Sequence, residues 1–527
     1  MTFSFGYKSI YMKFKFFHVL ILLFLCFGSF AQTGDWYNLD FESDGVLGIS
    51  ADKAYQQVSA AEIKPVIVAV IDDGVDIRHP DLAGKIWVNT AEIPDNGIDD
   101  DGNGYIDDVN GWNYLGNSSG ENVKEETLEI TRLYRSYKER FGDKTPEAVP
   151  KSDQKEYEKY LEYKSAYEQA LAVVEEEFAQ FAQLSAMYGG AYAYMTEKMG
   201  REDFNLDDLM EYKVEDPQEQ EVINFLLMAE TGGLSGYLEE GASYFESALE
   251  YNYNLDFNPR TIVNEAEARE KNTAYGNPMV WAADPDHGTH VAGIIAALRG
   301  NEMGVDGVAS NAIIMPLRVV PAGDERDEDI ALAIRYAADN GAKVINMSFG
   351  KSFSPNIELV EDAIRYAASK NVLMIHAAGN DAADNDRNRN YPDGSFGKGK
   401  SMSHWITVGA SGPLADSSLI ADFSNFGKRK VDVLAPGVQI ESLVPDGGTK
   451  ANSGTSMAAP VVSGMAALIW GLYPELSASE LKMVILKSVE SYRDTTVYSP
   501  YGPVGLKKIV RYPGVISAPR AIERAGR

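Results

Sequence analysis

Short apolar strands that alternate with amphipathic helices predict an α/β fold with a mostly parallel central sheet and helices on both faces. The first run, residues 66–71, ends at Asp72-Asp73-Gly74, and helical patterns cover residues 330–340 and 357–369. The other runs that we interpret as buried strands are residues 313–320, 344–347, 372–375, 406–408 and 431–434. In such a sheet the functional site lies at the carboxyl ends of the strands.

Composition and charge limit the classes of function. The chain has 527 residues, of which 45% are hydrophobic and 24% charged, as is ordinary for a folded soluble protein. The net charge of −30 argues against a nucleic-acid partner, because phosphate contacts need clustered Lys and Arg. The single cysteine, Cys26, lies in the N-terminal apolar stretch, so the rest of the chain excludes a cysteine nucleophile and a thiolate zinc site.

The N-terminus has the pattern of a secretory signal. Three lysines precede the apolar stretch of residues 16–30, and Ser29 and Ala31 are small residues at the two positions that a signal peptidase reads. The stretch is shorter than the roughly 20 residues that a membrane span needs. We therefore predict export to the periplasm or beyond, cleavage near Ala31 and no membrane span in the mature chain. An uncleaved anchor is the alternative.

Three short segments carry the residue types of a hydrolytic relay. Asp72 ends the first predicted strand, His287 opens His-Gly-Thr-His-Val-Ala-Gly, and Ser456 lies in Gly-Thr-Ser-Met-Ala-Ala-Pro. Peptide hydrolysis by serine needs a hydroxyl nucleophile, an imidazole that takes its proton and a carboxylate that holds the imidazole tautomer. Ser456 also begins a helical pattern, whose N–H groups and dipole favour a developing oxyanion. The three segments together predict a serine peptidase.

These segments resemble the signature segments of the subtilisin-like serine peptidases, the subtilases, in the chain order Asp, His, Ser. The resemblance covers residues 60–115 and 281–515. It implies a subtilisin-like fold and an endopeptidase that cleaves proteins or peptides through an acyl-enzyme. A binding protein of the same shape without activity is one rival. An acid-active serine-carboxyl peptidase is another, and the intact segment around His287 speaks against it.

Two further segments take their roles from the resemblance. Ala377-Ala378-Gly379-Asn380 is similar to the family's oxyanion segment, in which Asn380 would donate its amide to the tetrahedral oxygen. The pocket for the residue before the cut would have two walls, Ser348-Phe349-Gly350 and Ala377-Ala378-Gly379. Because Gly350 and Gly379 leave space, we expect an open, largely apolar pocket.

Asp73 departs from the Ser or Thr that is commoner beside the family's catalytic aspartate. Successive side chains of a strand point to opposite faces, so Asp73 need not face His287. Two adjacent carboxylates nevertheless repel each other, and the pKa of one of them can rise. We expect this departure to change the pH optimum more than the mechanism.

Of the six histidines, only His287 has a partner on both sides of the expected relay. His79 lies in a turn, and His290 follows His287 on the same helix, so both are interpreted as structural. His376 interrupts a buried strand and is expected to be a core histidine that has its hydrogen-bond partners.

Residues 99–107 have the spacing of a calcium-binding loop. Side-chain oxygens at alternate positions wrap a hard cation, and Gly104 allows the sharp turn. Asn110 replaces the bidentate Glu of an EF-hand, so the match is partial. The expected ligands of a structural calcium ion are Asp99, Asp101, Asn103, the carbonyl of Tyr105, and Asp107. A solvated acidic turn is the alternative.

An acidic region, residues 116–280, interrupts the strand–helix alternation. Large apolar residues between Tyr157 and Phe181 recur at steps of three and four, which is typical of a helix with one apolar stripe. We predict a helical insertion, for which a lid over the site and an oligomer contact or stabilising appendage are equally open. The predicted segments are a signal peptide (1–31), a lead-in (32–60), the catalytic domain in two parts (61–115 and 281–527) and the insertion (116–280).

Overall fold

The chain forms two compact units. The computed structural model describes residues 34–58, 63–142, 144–271, 274–396 and 400–527. The expected signal peptide, residues 1–31, lies outside these ranges. Within the described part, residues 133–255 form a helical unit, and residues 34–132 with 256–527 form a sheet unit.

The sheet unit confirms the predicted α/β class. Its strands are β1 (Val66–Asp72), β2 (Trp112–Asn113), β3 (Ala312–Arg318), β4 (Val344–Met347), β5 (Leu373–Ala377), β6 (Ser395–Phe396), β7 (Lys400–Ser401), β8 (Trp405–Ser411), β9 (Val433–Pro436), β10 (Ile440–Val444), β11 (Gly448–Asn452), β12 (Glu490–Ser491), β13 (Thr496–Ser499), β14 (Gly502–Gly505) and β15 (Gly514–Val515). Nine of them form one sheet in the order β12-β15-β9-β8-β5-β4-β1-β3-β2. All of its neighbouring strands pair in parallel except β12 with β15.

Helices supply the rest of the regular structure. The α-helices are α1 (Phe41–Asp44), α2 (Ala51–Tyr55), α3 (Glu129–Phe141), α4 (Gln154–Met199), α5 (Leu206–Glu211), α6 (Pro217–Thr231), α7 (Leu234–Glu246), α8 (Glu265–Lys271), α9 (Asp286–Ala296), α10 (Asp327–Asp339), α11 (Ile357–Ser369), α12 (Thr455–Leu472), α13 (Ala478–Leu486) and α14 (Ala518–Ala525). A π-helical turn covers Ser247–Asn252, and short 3₁₀ turns cover Trp36–Asn38, Pro80–Leu82, Pro146–Ala148, Lys151–Asp153, Pro259–Thr261, Pro445–Gly447 and Leu506–Lys508.

Both faces of the sheet are covered by helices. Successive side chains of each strand point to opposite faces, so each strand contributes to two cores. In β1, Val68 and Val70 face a core that α9, α12, α13 and α14 close. Ala69 and Ile71 face a second core, which α10 and α11 close. Among the described residues one helix, α12, has the length and hydropathy to cross a membrane, and 89% of its apolar window is buried inside the fold. This burial is that of a core helix.

The segment before β1 belongs to the sheet unit's core. Trp36 and Tyr37 are fully buried there. The indole of Trp36 donates to the carbonyl oxygen of Val438 at 3.1 Å, and the Tyr37 hydroxyl donates to that of Asp306 at 2.9 Å. The described part of the predicted lead-in is therefore an integral part of this unit.

The helical unit is organised around α4, a helix of 46 residues. Its predicted apolar stripe is buried at Tyr157, Tyr160, Tyr167, Val174 and Phe181, whereas Phe178 is 40% exposed. The hydroxyls of Tyr160 and Tyr167 donate to backbone carbonyl oxygens of the same unit, at 2.7 and 2.6 Å. The aromatic stripe therefore packs its rings inward and satisfies its polar ends locally.

The helical unit is narrower than the interruption seen in the sequence. Residues 116–132 and 256–280 belong to the sheet unit. The backbone N–H of Asn113 donates to Asn277 at 2.9 Å, and that of Val75 donates to Val280 at 2.9 Å. These flanking segments therefore support the strands that carry the site.

Candidate active site

Asp72 and His287 meet at the carboxyl end of β1. Asp72 is the last residue of that strand and is 1% exposed, while His287 lies in the first turn of α9. The Nδ1 atom of His287 is 2.7 Å from Oδ1 of Asp72. Because a carboxylate only accepts, Nδ1 is the donor, and the neutral ring carries its lone pair on Nε2. The pair thus presents a base.

The approach of α9 to β1 depends on glycine. A Cβ atom on Gly288 would lie 2.0 Å from the carbonyl oxygen of Gly74 and 3.1 Å from Cβ of Asp72. Gly74 itself has a φ of 117°, which other residues rarely adopt. The glycines beside the two site residues therefore permit the 2.7 Å contact between imidazole and carboxylate.

The carboxylates around the imidazole change its basicity. Burial lowers the pKa of His287, but Asp72, with smaller contributions from Asp73 and Asp286, raises that pKa to about 9 overall. Burial and the Asp72 carboxylate raise the pKa of Asp73 to about 7. The site therefore favours protonated His287 at neutral pH and a neutral imidazole under alkaline conditions.

Ser456 lies at the N-terminus of α12, one residue after the helix begins. Its hydroxyl donates to the carbonyl oxygen of Ser348 at 2.9 Å rather than to the imidazole of His287. The hydroxyl of Ser348 in turn donates to the carbonyl oxygen of Ser456 at 2.9 Å. Ser348 also lines the pocket that contains Asp72 and His287, so it connects the serine to the aspartate–histidine pair.

That pocket has a volume of about 320 Å³. The residues that line it include Asp72, Asp73, His287, Arg318, Ser348 and Phe349. Arg318 had no motif to identify it in the sequence, and it is 1% exposed. Its Nε donates to the backbone carbonyl oxygen of Asp73 at 2.9 Å, and burial lowers its pKa to about 10.

Asn380 follows β5 and is oriented by Thr455. Its Oδ1 atom accepts from both the backbone N–H and the hydroxyl of Thr455, each at 2.9 Å. Since the oxygen is used in this way, the amide presents its NH₂ group on the other side, beside Gly454. A donor is thus held next to the serine-bearing end of α12.

Of the two segments expected to form the pocket walls, the first lines the pocket that contains Asp72 and His287, through Ser348 and Phe349. In the second segment, Ala378 is fully buried. A Cβ atom on Gly350 would lie 2.4 Å from Oδ1 of Asn390, and one on Gly379 would lie 3.3 Å from its Nδ2. The room left by the glycines therefore holds a polar amide instead of open, apolar space.

Three asparagine amides converge on one carbonyl oxygen of the segment Ala377-Ala378-Gly379. Asn385, Asn390 and Asn425 each donate to the carbonyl oxygen of Ala378, at 2.8, 3.1 and 3.0 Å. None of them belongs to a motif, and no local periodicity marks them. Sequence reasoning missed these residues because their common target lies in a different segment of the chain.

Asp73 faces the helix that carries His287, a point that strand alternation left open. β1 ends at Asp72, so the alternation no longer applies at the next residue. Oδ2 of Asp73 accepts from the backbone N–H of His287 at 3.1 Å, and Oδ1 accepts from that of Gly288 at 2.7 Å. A second carboxylate therefore belongs to the site.

The other histidines have structural environments. His79 accepts from the backbone N–H of Asp81 at 3.1 Å, and Nε2 of His290 contacts the carbonyl oxygen of Lys450 at 2.9 Å. His376 is 1% exposed and packs against Trp405 in β8, with ring centroids 5.3 Å apart. Its Nε2 lacks a hydrogen-bond partner among the described residues, so the expectation of a fully satisfied core histidine is wrong in that detail.

The acidic loop brings only some of its expected ligands together. Ligand oxygens of Asp99, Asp101 and the unpredicted Glu92 lie within 4.8 Å of one another. The carboxylate of Asp107 accepts from the backbone N–H groups of residues 96 and 97 at 3.0 and 2.9 Å. Oδ1 of Asn103 accepts from the N–H of Tyr105 at 2.7 Å. A cation would therefore find three carboxylates grouped, and Glu92 replaces part of the predicted set.

An aspartate–histidine pair at the carboxyl end of a parallel strand, with a serine in the first turn of a helix that is hydrogen-bonded to a residue of the same pocket, defines a serine-hydrolase type of site on an α/β fold. The chain belongs to the subtilase family, whose model matches residues 64–503. This confirms the resemblance seen in the sequence motifs.

Curated relatives agree with the family. The chain is 40% identical over 241 residues to the cell wall-associated protease of Bacillus subtilis (strain 168), covering 44% of this chain and 25% of that protein. It is 36% identical over 228 residues to the thermophilic serine proteinase of Bacillus sp. (strain AK1), covering 43% and 52%. It is 34% identical over 214 residues to subtilisin DY of Bacillus licheniformis, covering 40% and 73%. The match thus spans a quarter to a half of the first two relatives.

Solved structures also match. A protease from Pseudoalteromonas arctica is 31% identical, with a TM-score of 0.38, over 45% of this chain and 70% of that one. A structure of the subtilase cytotoxin assembly is 29% identical, with a TM-score of 0.39, over 47% of this chain and 80% of that one.

Proposed function

We propose that this chain is an exported serine endopeptidase that hydrolyses peptide bonds in proteins with Asp72, His287 and Ser456. The observation that carries the proposal is the 2.7 Å contact between Nδ1 of His287 and Oδ1 of Asp72. This contact leaves Nε2 as the basic nitrogen of a residue that lines the site pocket. The family assignment supports the same chemistry. Protein or peptide substrates follow from it.

In the proposed mechanism the hydroxyl of Ser456 leaves the carbonyl oxygen of Ser348 and turns toward Nε2 of His287. Such catalytic hydrogen bonds commonly tighten only when substrate is bound. Ser456 Oγ then attacks the scissile carbonyl carbon while His287 accepts the hydroxyl proton. Asp72 stabilises the resulting imidazolium. His287 returns that proton to the leaving amine, and water hydrolyses the acyl-enzyme by the same route.

The oxyanion would be held from two sides. Nδ2 of Asn380 donates from one side, since Thr455 already occupies the amide oxygen. The backbone N–H of Ser456 donates from the other, at the N-terminus of α12, where N–H groups have no partner within the helix. Donors of this kind stabilise charge that develops only in the transition state.

The proposal that the chain is exported rests on residues 1–31. Their basic start, apolar stretch and small residues near Ala31 have the order of a signal peptide. One relative is named for its association with the cell wall. Mass spectrometry of the protein from the culture fluid and periplasm should find an N-terminus close to residue 32. A chain that keeps residues 1–31 in the membrane fraction would favour the anchor instead.

The test of the activity is covalent labelling together with hydrolysis of casein and a peptide library. We expect phenylmethylsulfonyl fluoride to label Ser456 and to abolish hydrolysis. Ser456→Ala should lose both, whereas Ser453→Ala, an exposed serine three residues earlier, should keep both. A folded wild-type chain that takes no label contradicts the proposal and favours a binding protein.

The serine-carboxyl alternative has its own outcome in the same experiment. That class uses a Glu–Asp pair in place of the imidazole, so His287→Ala would leave labelling and acid activity intact. Under our proposal His287→Ala loses activity across the whole pH range, because no other group accepts the proton from Ser456.

We further propose a structural calcium ion at the acidic loop, held by Glu92, Asp99 and Asp101. The grouping of their oxygens within 4.8 Å supports this, since calcium prefers carboxylate oxygens. Calcium should raise Tm relative to chelator by about 5 °C at saturation. Asp99→Asn should remove that rise, while Asp95→Asn, an exposed carboxylate of the same region, should keep it. Equal Tm values with calcium and chelator would leave only a solvated acidic turn.

A further inference from the structure

Asp73 is the second carboxylate at the site, and the proposed relay does not use it. Its two oxygens accept from consecutive backbone N–H groups, those of His287 at 3.1 Å and Gly288 at 2.7 Å. Both donors lie in the first turn of α9, the turn that carries the imidazole. The carboxylate therefore contacts the backbone of the expected general base itself.

We propose that Asp73 is a positioning residue for His287, which anchors the first turn of α9 from the end of β1 and holds the imidazole against Asp72. The inference rests on the proposed function, because positioning matters to the reaction only if His287 is its base. It assigns to this residue a role that the relay of Asp72, His287 and Ser456 leaves open.

The first turn of α9 needs an acceptor from outside the helix. The first N–H groups of any helix have no partner within it, and a side chain at the N-cap commonly accepts from one of them. The N-cap of α9 is Pro285, whose side chain makes no such hydrogen bond. Asp73 supplies the missing acceptor across the interface between strand and helix, and the positive end of the helix dipole favours its negative charge.

Asp73 is itself held firmly at its backbone. Its N–H donates to Oδ1 of Asp72 at 2.9 Å, and its carbonyl oxygen accepts from Nε of the buried Arg318 at 2.9 Å. Gly74, with its φ of 117°, turns the chain directly afterwards. The backbone of Asp73 is therefore fixed, and the two hydrogen bonds of its carboxylate fix the position of α9 relative to β1.

The charge of Asp73 also acts on His287. The charged groups around it are Asp72 at the end of β1, His287 and Asp286 on α9, Arg318 at the end of β3, and the exposed Lys124–Asp284 ion pair at the pocket. Ionised Asp73 raises the pKa of His287, because a negative charge stabilises the imidazolium. Catalysis requires neutral His287, so the rate falls as pH falls through the pKa of His287. Removing the charge should move this acid limb to lower pH.

The experiment measures the rate constant for phosphorylation of Ser456 by diisopropyl fluorophosphate, with loss of fluoride, between pH 5 and pH 11, in wild type, Asp73→Asn and Asp73→Ala. In Asp73→Asn, which removes the charge and keeps one acceptor oxygen, we expect the acid limb to move down by about one pH unit. In Asp73→Ala, which removes both acceptors, we expect the same shift and an alkaline plateau that is lower by about 10- to 100-fold.

Asp286→Asn is the matched control. Asp286 is exposed, lies one residue before His287 and contributes charge, but its side chain does not accept from the N–H groups of His287 or Gly288. We expect a smaller shift of the acid limb and an unchanged plateau, because solvent screens an exposed charge. If Asp73→Ala lowers the plateau and Asp286→Asn does not, the loss comes from the missing hydrogen bonds and not from the missing charge.

The outcomes distinguish this inference from the proposed function. A labelled wild type with an Asp73→Ala variant that keeps both the wild-type plateau and the wild-type limb overturns the inference alone. Wild type without label at any pH contradicts the proposed function and, with it, the inference. If Asp73→Ala does not fold, the isosteric Asp73→Asn still decides, because a variant that keeps both the wild-type acid limb and the wild-type plateau also overturns the inference.

Discussion

The sheet unit and the helical unit differ in how completely they bury their apolar side chains. Around the site, aliphatic and small side chains pack on both faces of the sheet, and α12 is buried almost from end to end. In residues 133–255 tyrosines and phenylalanines pack together with aliphatic side chains, and large apolar side chains such as Met187, Met210 and Tyr244 stay more than half exposed.

The hydrogen bonds of buried polar groups also differ between the two units. In the sheet unit buried polar groups contact one another across long stretches of chain, as do Asp72 with His287 and Asn380 with Thr455. In the helical unit the buried tyrosine hydroxyls of α4 donate to backbone carbonyl oxygens of that unit. A reacting site needs side chains that are held within about 0.5 Å, and only a rigid scaffold with interlocking polar contacts supplies this. The comparison therefore assigns the chemistry to the sheet unit.

The largest expected effect comes from a change at Asp72, and it tests whether the sheet unit carries the chemistry. Asp72→Asn replaces the acceptor for Nδ1 of His287, so the ring loses the tautomer that leaves Nε2 basic. We expect kcat for a short peptide to fall about 10⁴-fold, the size found for the same change in another serine-protease triad. Steady-state kinetics at several pH values measure it. A loss below tenfold would break the assignment.

The next effect concerns the oxyanion donor. Asn380→Ala removes the amide that Thr455 orients, and we expect kcat to fall by about 10²- to 10³-fold, as for the side-chain donor of subtilisin, with little change in KM. Asn388→Ala, an exposed asparagine eight residues later, is the control and should retain wild-type kinetics. If KM rises while kcat holds, Asn380 binds substrate and has no special role in the transition state.

A smaller effect sharpens the description of the pocket. Asn390→Gly removes the amide that lies beside Gly350 and Gly379 and opens the space between them. We expect kcat/KM for peptides with a large apolar residue before the cut to rise relative to small residues by about tenfold, within the range that pocket contacts supply. Profiling of cleavage sites by mass spectrometry measures the ratio. An unchanged preference would place the pocket floor elsewhere.

The smallest expected effect lies in the helical unit. Joining residue 132 to residue 256 removes that unit, whereas a cut at 118 and 280 would also remove Asn277 and Val280, which belong to the sheet unit. We expect kcat/KM for a short peptide to stay within about twofold, because the site's hydrogen bonds arise from the sheet unit. Cleavage of folded proteins then decides the unit's role, since faster cleavage indicates a lid and unchanged cleavage an appendage.

Local patterns predicted most of the fold and the main site residues. The strand Val344–Met347 and the helix Ile357–Ser369 have the bounds that their patterns predict, and the other five predicted strands differ by one to three residues at one or both ends. Asp72, His287 and Ser456 were found because each lies in a short segment whose neighbours, such as Gly288, are required for local steric reasons. Periodicity and motifs can both be recognised from a few neighbouring residues of the chain.

The sequence by itself therefore determined the α/β class, the strand ends that carry the site and the long apolar stripe of α4. Only the tertiary structure decided that Asp73 contacts the turn of His287, that Asn390 fills the space beside Gly350, and that Glu92 joins the acidic loop. The physical reason is that these contacts join residues whose separation along the chain has no bearing on their separation in space. Their geometry is set by how helices and loops pack on the sheet, which no window of sequence contains.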